Sequence, residues 1–324
     1  MFRIIRRIAT EFTDNLLNRV KYNIYLSQIY LMDKLVFIIT YPFIWLISKL
    51  NFSFIYIVSD LLYYPLYYIF SYRKKVVRKN LELAFPNKSL KERIKIEKEN
   101  FRNLTDIFLE TFKSTKMEEE ELKKRFVFKN PEVLEKIYNN KQDVIVMCSH
   151  YCSWEWVFGV RNITSFNINA VYKQLSNKYF DKLTKSRRSQ YGANMITTKN
   201  TFREISRLSK LEGLNFYGFA SDQSPKKSKA VYWTNFLNNY VPFHIGAEVI
   251  AKKYNMALVF MDVQKIKRGF YEASLSLITD KPNDFKDYQL TEEYIRLVER
   301  QVTEKPEYYT WTHKRFKHRK NKAI

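Results

Sequence analysis

His150 and Glu155 are the residues whose types and spacing point most directly to chemistry. Four residues separate them within Cys148-Ser149-His150-Tyr151-Cys152-Ser153-Trp154-Glu155-Trp156. A carboxylate on one imidazole nitrogen fixes the tautomer and raises the basicity of the other. The free nitrogen can then take a proton from an attacking hydroxyl. Such a pair needs no enzyme nucleophile, because the hydroxyl itself makes the attack. The plain alternative is a histidine merely satisfied by a nearby carboxylate, and the spacing alone does not separate the two.

The flanking pattern says how the pair is to be held. Asp143–Cys148 reads as a short buried strand, and Ser153–Arg161 as a helix with Ser153 as its N-cap. His150 then sits at a strand end on the sheet rim, and the following turn brings Glu155 back onto the imidazole. Upstream, Ser89-Leu90-Lys91-Glu92 is a capping-box pattern, opening a helix to about residue 114. Ile94, Phe101, Leu104, Phe108 and Phe112 keep helical spacing in it and are expected to pack on the core. A short helix follows Asn130-Pro131. Strands are expected over 167–172, 214–220, 256–263 and 271–278, and helices over 177–191, 201–211 and 246–254. A last helix over 291–301 takes Thr291 as its cap. Strands alternating with helices predict an α/β fold, a central mixed sheet flanked by helices, with ligands at the strand ends.

Asp222 and Gln223 follow the apolar run Phe216–Ala220, so they fall at a strand's carboxyl end, although a polar turn ahead of Pro225 reads the same way. Trp311, His313 and Arg315 alternate in a strand-like way and read as mainly structural. Lys226, Lys227 and Lys229 suit lipid phosphates, an acidic protein or a solvated loop. Cys148 and Cys152 form neither a disulfide framework nor a structural zinc set, so packing roles are expected.

The N-terminal part has a different character. Residues 1–72 are read as a basic lead-in followed by membrane-associated helices, and 73–324 as the catalytic domain. Arg3, Arg6 and Arg7 are followed by Glu11 and Asp14, which argues against a cleavable signal. The run 35–50 is apolar but short for a span, and 51–70 is broken by Asp60 and Pro65. Arg73, Lys74 and Lys75 follow, as basic residues do on the cytoplasmic side of a membrane. A helical hairpin or an interfacial anchor fits better than two clean spans. The chain's net charge of +23 draws anionic partners, and its 24 tyrosines and 25 phenylalanines suit a surface part apolar and part wet. No zinc-finger spacing or RNA-binding signature accompanies the charge, which favours lipid over nucleic acid. A non-enzymatic basic module explains the charge but leaves His150 unused. A serine hydrolase lacks its G-x-S-x-G elbow.

Five blocks in order carry a family resemblance. They are Tyr72-Arg73-Lys74-Lys75 through Phe85-Pro86, the His150–Glu155 segment, Arg188-Ser189-Gln190-Tyr191-Gly192, Asp222-Gln223, and Trp311-Thr312-His313-Lys314-Arg315-Phe316-Lys317. With these the chain resembles the lipid A biosynthesis acyltransferase family, the late lauroyl and myristoyl transferases of the lysophospholipid-acyltransferase-like superfamily. The likeness runs from about residue 35 to residue 317. It departs where the family has a glycine and this chain reads Phe236-Leu237-Asn238-Asn239, which bears on the local turn and on acceptor fit.

The resemblance implies transfer of an acyl chain from acyl carrier protein to a hydroxyl of a membrane glycolipid, a lipid A precursor, with no cofactor and no metal. His150 is then the general base, oriented by Glu155. Arg188, with Arg187 as its competitor, stabilises the carbonyl oxyanion or holds a phosphate; a solvated helix face is the plain alternative for either. Asp222 and Gln223 belong to the substrate-binding set. The implied location is the inner membrane of a Gram-negative bacterium, the catalytic domain facing the cytoplasm on an anionic surface. Another glycolipid, a phospholipid or an aminolipid is the alternative acceptor.

Overall fold

A computed structural model describes Gln28 and residues 30–320. The basic lead-in with Arg3, Arg6, Arg7, Glu11 and Asp14 lies outside the described residues.

Helix α1 (Tyr30–Lys49) is 20 residues long, enough to cross a membrane by length and composition. It begins before the apolar run at 35, which is why the run alone reads as short. Its aromatic residues meet the helix Lys178–Ser189, the ring of Phe37 lying 5.5 Å from that of Tyr179 and 5.3 Å from that of Phe180. Helix α2 (Phe52–Tyr64) is capped by Asn51. Pro65 lacks the N–H that an α-helix would use, and Pro65–Ile69 continues as a π-turn.

Helix α3 (Lys74–Ala84) leads to α4 (Leu90–Lys113), whose capping box forms as the sequence predicts. Ser89 Oγ accepts from Glu92 N, while Glu92 Oε2 accepts from Ser89 N at 2.7 Å. Ser89→Ala is expected to cost about 0.5–2 kcal/mol, read as a lower unfolding midpoint. The buried face of α4 corrects the apolar stripe expected of it. Phe101 is buried, but Phe108 is exposed. Glu97, Asn100, Asn103, Asp106 and Glu110 face inward instead. They are tolerated because each is partnered, which removes the cost of burying a polar group. Glu97 accepts from Arg78 and Tyr67, Asp106 from Ser59 and Arg268, and Glu110 from Tyr56 and Tyr271. Three of those donors lie on α2 or the π-turn, so this part of the N-terminal block is built into the core.

The chain continues through α5 (Glu119–Arg125), β1 (Phe126–Phe128), α6 (Glu132–Asn139), β2 (Val144–Cys148), a 3-10 helix (Trp156–Ile163), β3 (Asn167–Tyr172), α7 (Lys178–Ser189), β4 (Asn194–Thr197), α8 (Thr201–Leu208) and β5 (Asn215–Ala220). Then come β6 (Tyr232–Phe236), β7 (Asn239–Phe243), α9 (Gly246–Tyr254), β8 (Ala257–Lys267), β9 (Phe270–Thr279) and α10 (Gln289–Glu304). Seven strands make one sheet in the order β1-β9-β8-β2-β5-β3-β4. β8, β2, β5, β3 and β4 run parallel, and β9 turns back antiparallel on β8, so the sheet is mixed as expected. Val144–Met147 of central β2 is buried throughout, as both-face coverage by helices requires.

Two expected caps do not form. α10 begins before Thr291, whose hydroxyl donates to buried Glu248 at 2.6 Å. Ser153 caps no helix, because the segment tightens into the 3-10 turn that follows Glu155. The structure adds a hairpin, β6–β7, to the expected elements. Its two-residue turn, Leu237-Asn238, has φ of 47° and 63° at the two positions. Left-handed backbone at both is the twist-matched hairpin turn, and asparagine tolerates it better than most residues. Asn238 therefore stands in for the expected glycine. It also donates to Ala84 O at 3.1 Å, docking the turn on the end of α3.

Candidate active site

The register of β2 on β5 builds the centre. Cys148 lies opposite Ala220, the last residue of each strand. His150 and Asp222 each come two residues later, so they emerge side by side at the carboxyl edge of the sheet. His150 Nδ1 lies 2.7 Å from Asp222 Oδ1, which also accepts the His150 backbone N–H at 3.1 Å. The imidazole side chain is 23% exposed and the carboxylate 1%. With Nδ1–H turned to Asp222, Nε2 keeps its lone pair and is the nitrogen left for a substrate.

Glu155 does not hold the imidazole. Its hydrogen bonds go to the two arginines of α7: Arg188 donates through Nε at 3.1 Å and Nη2 at 2.6 Å, and Arg187 through Nη2. The tight turn after His150 carries Glu155 toward α7, where two guanidinium groups outcompete one imidazole for a buried anion. Asp222 takes the place expected of Glu155. Arg187 is buried and also donates Nη1 to Thr111 O at 2.8 Å. Arg188 is the more open of the two, and its fork onto Glu155 uses Nε and Nη2 and not Nη1. Neither arginine is on a solvated face.

Electrostatics follow the geometry. Burial opposes a charged His150, but Asp222, with help from Glu155, outweighs it and leaves the pKa above the ordinary histidine value. Burial likewise opposes charge on Asp222 and Glu155. His150 reverses this for Asp222, and the arginines reverse it for Glu155; both carboxyl groups end below their usual range. The site thus favours the charged form of Asp222 against the imidazole and of Glu155 against the arginines, and raises the basicity of His150.

Gln223 is half-buried next to Asp222. The C-terminal block is a series of turns, not a strand. Trp311 and Arg315 are buried in it, the Arg315 guanidinium 4.0 Å from the centre of the Phe243 ring, and His313 Nε2 accepts from Ser224 N at 3.2 Å. Cys148 and Cys152 are free thiols, and burial pushes the Cys148 thiol up to about 12, which disfavours the thiolate form. Lys226, Lys227 and Lys229 are exposed just beyond the Asp222 turn. A cavity of about 1000 Å³ opens at the other end of the sheet between Asp143, Asn215 and Tyr254 and contains none of these residues.

The role of Asp222 as imidazole partner is what sequence reasoning missed. The signal was present: both residues follow an apolar strand by the same short offset. The model of the bacterial lipid A biosynthesis acyltransferase family matches residues 27–318. The chain belongs to that family. It is an acyltransferase of lipid A biosynthesis. It is 26% identical over 249 residues to a lipid A biosynthesis palmitoleoyltransferase of Escherichia coli, covering 76% of this chain and 79% of the relative. A lipid A biosynthesis lauroyltransferase of the same organism is 26% identical over 251 residues, covering 76% and 80%. A lipid A biosynthesis acyltransferase of Haemophilus influenzae is 26% identical over 255 residues, covering 76% and 78%. The acyltransferase family expected from the five blocks is therefore the right one.

Proposed function

We propose that this acyltransferase moves a fatty acyl chain from acyl carrier protein to a hydroxyl of a lipid A precursor, at the cytoplasmic face of the inner membrane. The observation that carries the chemistry is the His150–Asp222 pair at the carboxyl edge of β2 and β5, with Nε2 free. Nε2 takes the proton of the acceptor hydroxyl as its oxygen attacks the thioester carbonyl. Asp222 stabilises the imidazolium that forms. Arg188, aimed by Glu155, offers Nη1 to the carbonyl oxyanion, a role worth about 2.7–4 kcal/mol for one donor. Collapse breaks the carbon–sulfur bond, and the departing thiolate recovers the proton from His150. The ester and the free carrier thiol are the products. The direct test supplies purified enzyme with acyl-loaded carrier protein and a lipid A precursor in vesicles. Ester formation with release of carrier thiol is expected; transfer from no carrier-bound donor would overturn the reading.

The same proposal places the chain on a membrane. Besides α1, the helix α2 is apolar on the face turned away from the core. Phe54, Ile57, Leu61 and Tyr64 are exposed at helical spacing, and Ile69 and Phe70 follow. Arg73, Lys74 and Lys75 come next, worth about 1 kcal/mol each near an anionic surface. Because α2 is built into the core through Ser59 and Tyr56, an anchor deletion should stop at residue 50. Removing residues 1–50 is expected to shift much of the protein from the membrane pellet to the supernatant, and to make the remainder salt-sensitive. A folded truncated protein that pellets as fully as the full chain at high salt would contradict this.

A further inference from the structure

We propose that the Thr310–His313 turn is the positioning device of the active site, and that His313, held by Asn80 in a loop whose approach Asn100 pins, sets where Asp222 meets His150. The inference rests on the His150–Asp222 reading above. Neither catalytic partner is fixed by its own strand beyond Cys148 and Ala220, so something else must hold the two loops in step. The turn touches both. Thr310 donates to His150 O through its backbone N–H at 3.0 Å and through Oγ1 at 2.8 Å. Three residues on, His313 Nε2 accepts the backbone N–H of Ser224 at 3.2 Å, two residues past Asp222.

The turn is itself held from the N-terminal helices. On α3, buried Asn80 donates Nδ2 to Trp311 O at 2.8 Å and to His313 O at 2.7 Å. On α4, buried Asn100 donates Nδ2 to Glu307 O at 2.8 Å and Tyr309 O at 2.7 Å. Two side-chain amides thereby bracket four carbonyls of one loop. An irregular segment buried this deeply otherwise has unsatisfied backbone groups, so the brackets both pin and permit it. Tyr308 O also accepts from Cys152 N at 3.1 Å, tying the loop to the far side of His150.

The His313 contact sets a chemical condition. An accepting Nε2 needs its lone pair, so the ring is neutral with its proton on Nδ1. Burial, Lys317 and Arg315 all disfavour the imidazolium and bring its pKa down to about 4, which keeps that acceptor available. His313 is not a catalytic residue, since its contact is with the Ser224 backbone. It acts through Asp222. Losing it frees the 222–224 turn, Asp222 drifts from Nδ1, and His150 loses part of the interaction that raises its pKa.

The test compares full-length wild type with His313→Leu, His313→Gln and Asp222→Asn, by kcat, KM and the acid limb of the pH profile, using the carrier-protein assay. Leucine has no acceptor, while the glutamine amide oxygen reaches as far as Nε2. For H313L, kcat is expected to fall about 10²-fold, the size of a misplacement near 1 Å, with KM little changed. The acid limb should move to lower pH, in the direction D222N moves it. H313Q should restore both. If H313L is not obtained folded, His313→Asn carries the same expectation, because its shorter amide falls short of Ser224. A limb that moves in D222N but stays put in H313L or H313N overturns the positioning role. A limb unmoved in D222N overturns the His150–Asp222 reading, and the positioning role with it.

Discussion

Asp222→Asn is expected to lower kcat by about 10²–10⁴-fold while the protein stays folded. Asparagine keeps the shape of the side chain and can still meet Nδ1. It cannot stabilise the imidazolium that forms when Nε2 takes the hydroxyl proton. It can also present its amide to the ring, which favours the tautomer with the lone pair on the wrong nitrogen. The pH dependence gives an independent sign. A general base works only when neutral, so kcat/KM falls as pH drops through the His150 pKa. In the wild type that pKa stands above the ordinary histidine value, because Asp222 outweighs the effect of burial. Removing the carboxylate charge lets burial dominate, and the acid limb moves to lower pH. Measuring kcat/KM across the range for both proteins checks magnitude and direction together. An unchanged limb, or turnover near wild type, would remove Asp222 from the mechanism.

The second large effect falls on Glu155, for a reason different from the one its spacing suggests. Glu155 is a buried anion between two guanidinium groups. Glu155→Ala leaves Arg187 and Arg188 buried and uncompensated, an arrangement that costs about 3–5 kcal/mol when one partner of a buried pair is removed. A large fall in the unfolding midpoint is therefore expected. Glu155→Gln retains the shape and loses less stability, but Arg188 is no longer held in a charged fork. Turnover should drop because Nη1 is no longer aimed, while donor binding changes less. A double-mutant cycle with Arg188→Gln separates the roles. If Glu155 works through Arg188, adding R188Q to E155Q costs little further turnover. Losses in kcat that multiply fully would place Glu155 outside the arginine's function.

These two carboxylates also show what one sequence discloses. Elements marked by local punctuation were legible. The capping box at Ser89 and Glu92, the helix Gly246–Tyr254 and the strand Asn167–Tyr172 all form where composition and breakers put them. So did the strand ends carrying His150 and Asp222, because a buried apolar run followed by polar residues is a local signal. Sheet order is not local. Nothing in the spacing says that β5 inserts between β2 and β3, and that insertion alone brings Asp222 to His150. Glu155 is the partner that spacing suggests, while its own hydrogen bonds go to Arg187 and Arg188. The inward face of α4 was hidden for a related reason. Reading amphipathicity assumes that apolar residues face inward, whereas Glu97, Asn100 and Glu110 do so because their partners lie on distant segments. The hairpin at 232–243 is poorly marked in the sequence because Pro242 and a left-handed leucine are unusual in one. The short strand β4 offers too few residues for a period to emerge.

The central claim, that this chain acylates a lipid A precursor with His150 as its base, is tested most directly in the lipid itself. Lipid A is extracted from a strain lacking the gene, and from the same strain carrying either the wild type or His150→Ala at equal membrane abundance. Mass spectra are then compared. The account predicts lipid A lighter by one fatty acyl chain without the gene, full restoration by the wild type, and none by H150A, whose fold is confirmed by circular dichroism. An unchanged spectrum in the deletion strain, or restoration by H150A, would contradict it.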